Sequence, residues 1–503
     1  MGSRTGNLRK VAIAGLSSVI IGGMAAWPPP AAAQFILVDT TDDEINSDAF
    51  CSLREAIISA NTNSASSACA QGSGTETDLI AVQAGNYELG IPGVGEDAAA
   101  TGDLDITERV HITGQPGTLD VTVDGNGLDR VFDVRANTRF SFFEITGGTL
   151  TASPGDEGGG GVRYFQRLTM NDMLVKQNAM VGGTGADYGG GIGSGFATGM
   201  HLELVRTTVM ENFAELGGGI SGGGTFHVKS SLVQRNTAGS GGAVWNDGVM
   251  RLDNVTVTDN LATTGVGGLR NASGSLYIRN STIATNQAGA TSRAANVDGV
   301  GGTTTEAKNT IIAKPRVGPN CEPGITSNGH NLEDSNTCGF TRGSDIRNRN
   351  SRLRDLRNNG GITRTHAIKP SSPARNAGGS CLGSDQRGAP RPGSRCDIGA
   401  YELVRCAGVI VNRVGTRFND FLTGTPGNDG FLALDAADDL NGRGGADALC
   451  GGKGTDVLRG SAGNDTLLGG NGADALRGGP GSDVCLGGAG SDSASNCEFR
   501  DGI

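Results

Sequence analysis

Large aromatic side chains are scarce in this chain of 503 residues, where Phe, Trp and Tyr together supply 4%. That leaves little material for a globular core of bulky groups, while 86 glycines suit closely stacked turns. A basic excess is also missing. The net charge of −11 excludes the positive footprint of a nucleic-acid-binding surface, so no nucleic-acid partner is expected. No Cys-x-x-Cys pair is present to suggest zinc or a redox dithiol. Beyond the first 33 residues, no apolar run approaches the roughly 18 to 20 residues needed to span a bilayer.

The start of the chain has a different character. Arg4, Arg9 and Lys10 precede an apolar run over 11–26, then Pro28 to Pro30 and Ala31-Ala32-Ala33. This is the pattern of a cleaved secretory signal, so residues 1–33 are expected to be a signal peptide and the mature chain to begin at Gln34, outside the cell. All ten cysteines lie downstream, an even number for a compartment where disulfides persist. Their spacing suggests local staples: Cys51 with Cys69, Cys321 with Cys338, and Cys381 with Cys396. Cys406, Cys450, Cys485 and Cys497 are left to staple the C-terminal segment, in a pairing the sequence leaves open.

A repeat runs through the middle of the chain. Asn178, Asn212, Asn236, Asn260 and Asn286 recur at intervals of 24 to 34 residues. Three residues before each stands Val175, Val209, Val233, Val257 or Ile283, and eight before stands Met170, Leu204, Val228, Leu252 or Ile278. Glycine turns separate the repeats. Short β-branched strands at this period, with no helical pattern between them, favour a parallel β-helix, with the apolar columns inside and the asparagines bonding to their copies in adjacent coils. Stacked coils need a cap. Leu53, Ile57 and Ala60 lie at helical spacing where an N-terminal cap belongs.

Cys51-Ser52-Leu53-Arg54-Glu55-Ala56, followed by Gly102-Asp103-Leu104-Asp105-Ile106 and Asp124-Gly125-Asn126-Gly127, resembles the CSLREA-type family of secreted β-helix proteins. Gly329-His330-Asn331-Leu332, Asn359-Gly360-Gly361, Thr365-His366-Ala367, Asp385-Gln386-Arg387-Gly388 and Cys396 to Glu402 resemble the choice-of-anchor Q region. In its relatives that region closes a β-helix ahead of an attachment element.

The C-terminal segment is the most regular. Asp420, Asp429, Asp438, Asp447, Asp456, Asp465, Asp474, Asp483 and Asp492 stand nine residues apart without exception. Two residues after the aspartate comes an apolar residue, as in Leu440, Leu449, Leu458, Leu467 and Leu476. From Asp420 to Ile503, thirteen carboxylates against five basic residues leave a charge of −8, which calls for a cation. The glycine-rich spacing resembles the nonapeptide of RTX-type calcium repeats, with coils of two nonapeptides that place Asp456 near Asp474 and Asp465 near Asp483. Calcium takes six to eight oxygens, more than one turn offers, so two turns must share an ion. The expected ligands are the carboxylates of Asp447, Asp456, Asp465, Asp474, Asp483 and Asp492, with backbone carbonyls of Gly451, Gly469, Gly478 and Gly487, for roughly four to six ions. The repeat at 433–441 lacks glycine, so Asp420, Asp429 and Asp438 read as remnants or the entry to the roll.

The expected fold is therefore all-β: a right-handed parallel β-helix over 34–320 with its CSLREA-type cap, a closing region over 321–404, and a C-terminal parallel β-roll over 405–503. The expected function is a secreted calcium-binding scaffold of the cell surface or matrix, with an envelope or extracellular polysaccharide as a further partner. The alternative is a β-helix polysaccharide lyase or glycoside hydrolase. Such an enzyme needs paired carboxylates, or a base beside bound calcium. The coils show no Asn-Thr-Asp, Asp-Asp and Gly-His-Gly series. His111, His201, His227, His330 and His366 share no motif, and His366 reads as structural. Asp103 and Asp105 read as turn or solvent-facing groups, and Asp129-Arg130 as part of an ion pair. No catalytic residue is assigned.

Overall fold

A computed structural model describes residues 34–151, 158–182, 188–194, 199–302, 304–322 and 324–503. The expected signal peptide lies outside the described residues. From Phe35 to Glu333 the chain winds through four parallel sheets, of eleven, ten, eight and five strands. The eleven-stranded sheet runs from Phe35–Val38 to Thr326–Ser327, and the ten-stranded sheet from Gly85–Glu88 to Leu332–Glu333. Coils thus continue past residue 320 before the closing segment begins. Successive coils pair in register: Val175 with Val209, Val233, Val257 and Ile283 in one column, and Met170 with Leu204, Val228, Leu252 and Ile278 in another. Every one of these side chains is buried in one continuous core.

The corners explain the glycines. A Cβ on Gly218 would lie 2.3 Å from the Thr237 carbonyl of the next coil, so stacking at strand spacing requires its absence. The other bends use ordinary residues. Gln177, Glu211, Arg235, Asp259 and Thr285, each just before a repeat asparagine, all hold φ between 52° and 58°. Each asparagine then satisfies the bend. Asn212 Oδ1 accepts from both the backbone N–H (3.0 Å) and Nδ2 (3.1 Å) of Asn178, and the pattern repeats through Asn236, Asn260 and Asn286. It continues beyond the expected five into Asn296 and Asn320 and ends on Asp334.

Helix α1 (Leu53–Thr62) covers the first coils and buries Leu53, Ile57 and Ala60. Ser52 caps it, Glu55 returns a bond to the Ser52 N–H, and together they close a capping box. Arg54 is buried, pairs with Asp43 (2.6 Å), and donates to the carbonyls of Ala99, Gly102 and Asp103. No described helix is long and apolar enough to cross a membrane.

The segment after the coils folds back along the helix flank. Gln386 accepts from Thr256 Oγ1 (2.6 Å) and donates to Thr363 Oγ1 and the Arg364 carbonyl. Arg387 pairs with Asp385 (2.7 Å), both fully buried, and lies over the Tyr401 ring. His366 is buried between Thr258 Oγ1 and the Arg354 carbonyl, a structural position. From Arg413 onward the chain forms the roll, two parallel sheets of six and five strands around Phe431, Leu440, Leu449, Leu458, Leu467 and Leu476. The ten cysteines form five disulfides: the three expected pairs, then Cys406–Cys450 and Cys485–Cys497.

Candidate metal centre

In the roll, each nonapeptide supplies one turn and one short strand, so residues eighteen apart stack. Asp456 N–H donates to Asp474 Oδ1 (2.9 Å), Asp465 to Asp483 (2.8 Å), Asp447 to Asp465 (2.8 Å), and Asp474 to Asp492 (2.8 Å). One oxygen of each carboxylate is thus fixed by the coil before it. The last such link is made by Glu498, whose Oε2 accepts from Asp483 N–H.

The second oxygen is different. Oδ2 of Asp447, Asp456, Asp465, Asp474, Asp483 and Asp492 is buried and has no hydrogen-bond partner. A buried carboxylate oxygen left bare costs more than a hydrogen bond returns, so a native protein places something there. The space is shaped by glycine. A Cβ on Gly451 would lie 2.4 Å from Asp456 Oδ2 and 2.6 Å from the Gly469 carbonyl, and one on Gly469 equally close to Asp474 Oδ2 and the Gly487 carbonyl. A Cβ on Gly478 would sit 2.6 Å from Asp483 Oδ2, and one on Gly487 2.6 Å from Asp492 Oδ2. Carboxylate and carbonyl oxygens from two coils therefore converge on the corner each glycine leaves open. An all-oxygen set with charged members suits a hard divalent cation.

The electrostatics agree. Burial, joined by Asp474, raises the Asp456 carboxyl to about 6 against the bond from Asp438 N–H, and burial with Asp465 and Asp429 does the same for Asp447. Asp465 and Asp474 are raised for the same reasons, burial first. These columns carry charge at neutral pH at a cost that a cation offsets.

Asp420 and Asp429 behave as entry turns. Asp420 Oδ2 accepts from the Thr416 N–H and hydroxyl, and Asp429 Oδ2 from those of Thr425, so the chain itself satisfies them. Asp438 departs from the reading as a remnant. Its Oδ2 is as buried and bare as those of the later six, its Oδ1 accepts from Asp420 N–H, and burial lifts its carboxyl to about 7. The turn keeps its shape without glycine: Leu434 and Ala436 hold φ of 86° and 82°, where Gly452 and Gly454 hold 122° and 128°. Their carbonyls aim at the next coil as those of the glycines do. The reason is positional, because the coil behind this turn is the first one, which Thr416 folds onto Asp420. Counting glycines hides the site; the unbroken nine-residue aspartate register was the signal that could have found it.

Asp103 and Asp105 are not solvent-facing. Both are buried beneath α1 and the loop carrying Ala99, and Arg130 pairs with Asp103 (2.9 Å) beside a cavity of about 810 Å³. The Arg130 guanidinium thus reaches Asp103, while Asp129 Oδ1 accepts the Arg130 backbone N–H.

Fold and site together define a calcium-binding β-solenoid. The RTX calcium-binding nonapeptide repeat family matches the chain four times, over residues 414–449, 431–458, 451–485 and 459–494. Among solved structures, the crystal structure of pectate lyase Pel9A is similar at 14% identity and a TM-score of 0.36, over 65% of this chain and 88% of that one. No curated protein matches the chain.

Proposed function

We propose that the protein is a secreted scaffold of the cell surface or extracellular matrix, not an enzyme, whose roll is ordered by extracellular calcium. In this reading the ions lie between successive coils, held by Asp447, Asp456, Asp465, Asp474, Asp483 and Asp492, with Asp438 added, and by turn carbonyls including those of Gly451, Gly469, Gly478 and Gly487. The observation that carries it is the column of buried Asp Oδ2 atoms without partners, inside repeats of a calcium-binding family. Sites with the 10⁻⁴ to 10⁻³ M affinity of extracellular modules would each stabilise the fold by about 1 kcal/mol in millimolar calcium. Several in a stack make order in the roll conditional on the ion.

Export rests on the signal-like segment over 1–33, supported by five disulfides. The scaffold role rests on the rigid ladder of coils and on the CSLREA-type and choice-of-anchor Q-like motifs, with envelope or extracellular polysaccharide as the surface it meets. The test is amide hydrogen exchange on the full chain. Residues 415–495 should exchange slowly in millimolar calcium and fast in chelator, with the coils over 138–333 unaffected. Equal exchange in both conditions would refute the calcium-ordered roll, and release of unsaturated or reducing sugars from pectin or alginate would refute the non-enzymatic role.

A further inference from the structure

We propose a second cation site, far from the roll in sequence, at Asp97, Asp105 and Asp133 beneath the N-terminal cap. One carboxylate oxygen from each residue lies within 4.8 Å of the other two. That is no wider than the ligand sphere of one calcium ion, whose oxygens stand at about 2.3 to 2.6 Å from the metal.

Acidic groups gather on many surfaces without binding a metal, so the argument rests on Asp105. It is fully buried, its Oδ2 accepts from Ala99 N–H (3.0 Å), and its Oδ1 has no partner. The sheet register makes its position worse. Asp105 stands directly beside Asp133 on the next coil, and like charges so paired destabilise a sheet. The neighbouring carboxylates each have a guanidinium. Asp133 takes two bonds from Arg163 (Nε 3.0 Å, Nη2 2.6 Å) and two from Arg135 (Nε 3.0 Å, Nη2 2.9 Å), Asp97 pairs with Arg135, and Asp103 with Arg130. Among the described residues no cationic side chain pairs with Asp105. Glu96 adds another negative charge, its carboxylate accepting from Ala98 and Thr101 N–H.

Three guanidiniums thus neutralise Asp97, Asp103 and Asp133, and the remaining charge is concentrated where the bare oxygen lies. Burial first, then Asp133 and Glu96, push the Asp105 carboxyl up to about 7. The donors are all oxygen, which selects a hard ion such as calcium over zinc or copper. Asp97 reaches in from the exposed loop and opens the site to solvent. The site's function follows from its place: it ties the loop carrying Asp97 and Ala99 to the coil carrying Asp133, under the helix that caps the solenoid.

Crystals of the full chain grown in calcium and soaked in terbium test this. An anomalous peak beside Asp105 Oδ1, in addition to any in the roll, is the expected result. Peaks in the roll with none at Asp105 would overturn the site and leave the roll reading intact, and the reverse pattern would do the opposite. In solution, Asp105→Asn should lower bound calcium by one ion per chain and abolish calcium-dependent slowing of exchange over residues 96–106. Asp97→Ala, on the exposed side, should raise the calcium midpoint of that slowing several-fold in an otherwise unchanged fold. An unchanged ion count in Asp105→Asn, or an unmoved midpoint in Asp97→Ala, counts against the proposal.

Discussion

At the residue scale the roll is governed by how much of each aspartate its neighbours satisfy. From Asp438 to Asp492, Oδ1 accepts the backbone N–H one coil back and Oδ2 accepts nothing, which fixes the response to pH. The calcium-free fold holds protons on Asp438 up to about 7 and on Asp447 and Asp456 up to about 6, above the usual 3.8, chiefly through burial. A raised carboxyl contributes stability that is present below about 4 and lost as pH climbs through 6 to 7. In chelator the roll should therefore melt at a higher temperature at pH 5 than at pH 7.5, while in calcium the midpoint concentration should increase as pH falls and protons compete. A flat pH profile in chelator would contradict the bare oxygens. Asp465→Asn keeps an acceptor for Asp447 N–H and removes the charge, so it should raise the calcium midpoint several-fold and stabilise the calcium-free roll at pH 7.5. At Ala436 the backbone sits at φ 82°, a conformation that costs a side chain about 1 kcal/mol or more, so Ala436→Gly should stabilise the loaded roll by about 1 kcal/mol in denaturant titration. The six later carboxylates could be read from spacing alone. Asp438 shares that spacing but was passed over for its missing glycines, a rule that describes turns stacked on like turns, whereas this one stacks on the entry coil.

At the scale of elements, a coil is a set of short strands joined by bends that should resist stacking. Each bend before an asparagine places an ordinary residue in the left-handed region, and the ladder holds it there. Asn236 illustrates the cost of losing a rung. Its Oδ1 accepts two bonds from Asn212, and its Nδ2 donates to Asn260 Oδ1 and the Val209 carbonyl. Asn236→Ala would leave several of these buried groups bare, at about 1–3 kcal/mol for each unsatisfied group, and should lower the stability of the β-helix by about 3 kcal/mol in urea. A loss below 1 kcal/mol would mean that water replaces the amide. The asparagine column and both apolar columns were legible as a period. The left-handed bends were not, since Gln177, Glu211, Arg235, Asp259 and Thr285 share no chemistry and only their position repeats. Nor was the burial of Asp103 and Asp105: alternation along Leu104–Ile106 suggests an outward pair, but α1 and the loop carrying Ala99 cover that face.

For the molecule as a whole, the entry coil of the roll is also its contact with the β-helix. Arg417 reaches Asp172 (2.8 Å), already held by Arg206, and Phe418 packs edge-on against Phe142, while from the closing segment Gly361 N–H donates to the Val414 carbonyl (2.9 Å). The Cys406–Cys450 disulfide joins the segment entering the roll to its third coil, closing a loop 44 residues long in sequence. On the chain-entropy estimate a crosslink of that length removes about 4 kcal/mol of unfolded-state freedom. If each ion contributes about 1 kcal/mol in millimolar calcium, that equals the work of several ions. The disulfide and the ions then act on the same equilibrium, and removing one must be compensated by the other. Cys406→Ser with Cys450→Ser should therefore leave the β-helix folded and shift the calcium midpoint for ordering residues 415–495 several-fold upward by hydrogen exchange. If that midpoint stays where it is, the crosslink does not act on the calcium-dependent equilibrium, and the ions order the roll without its help.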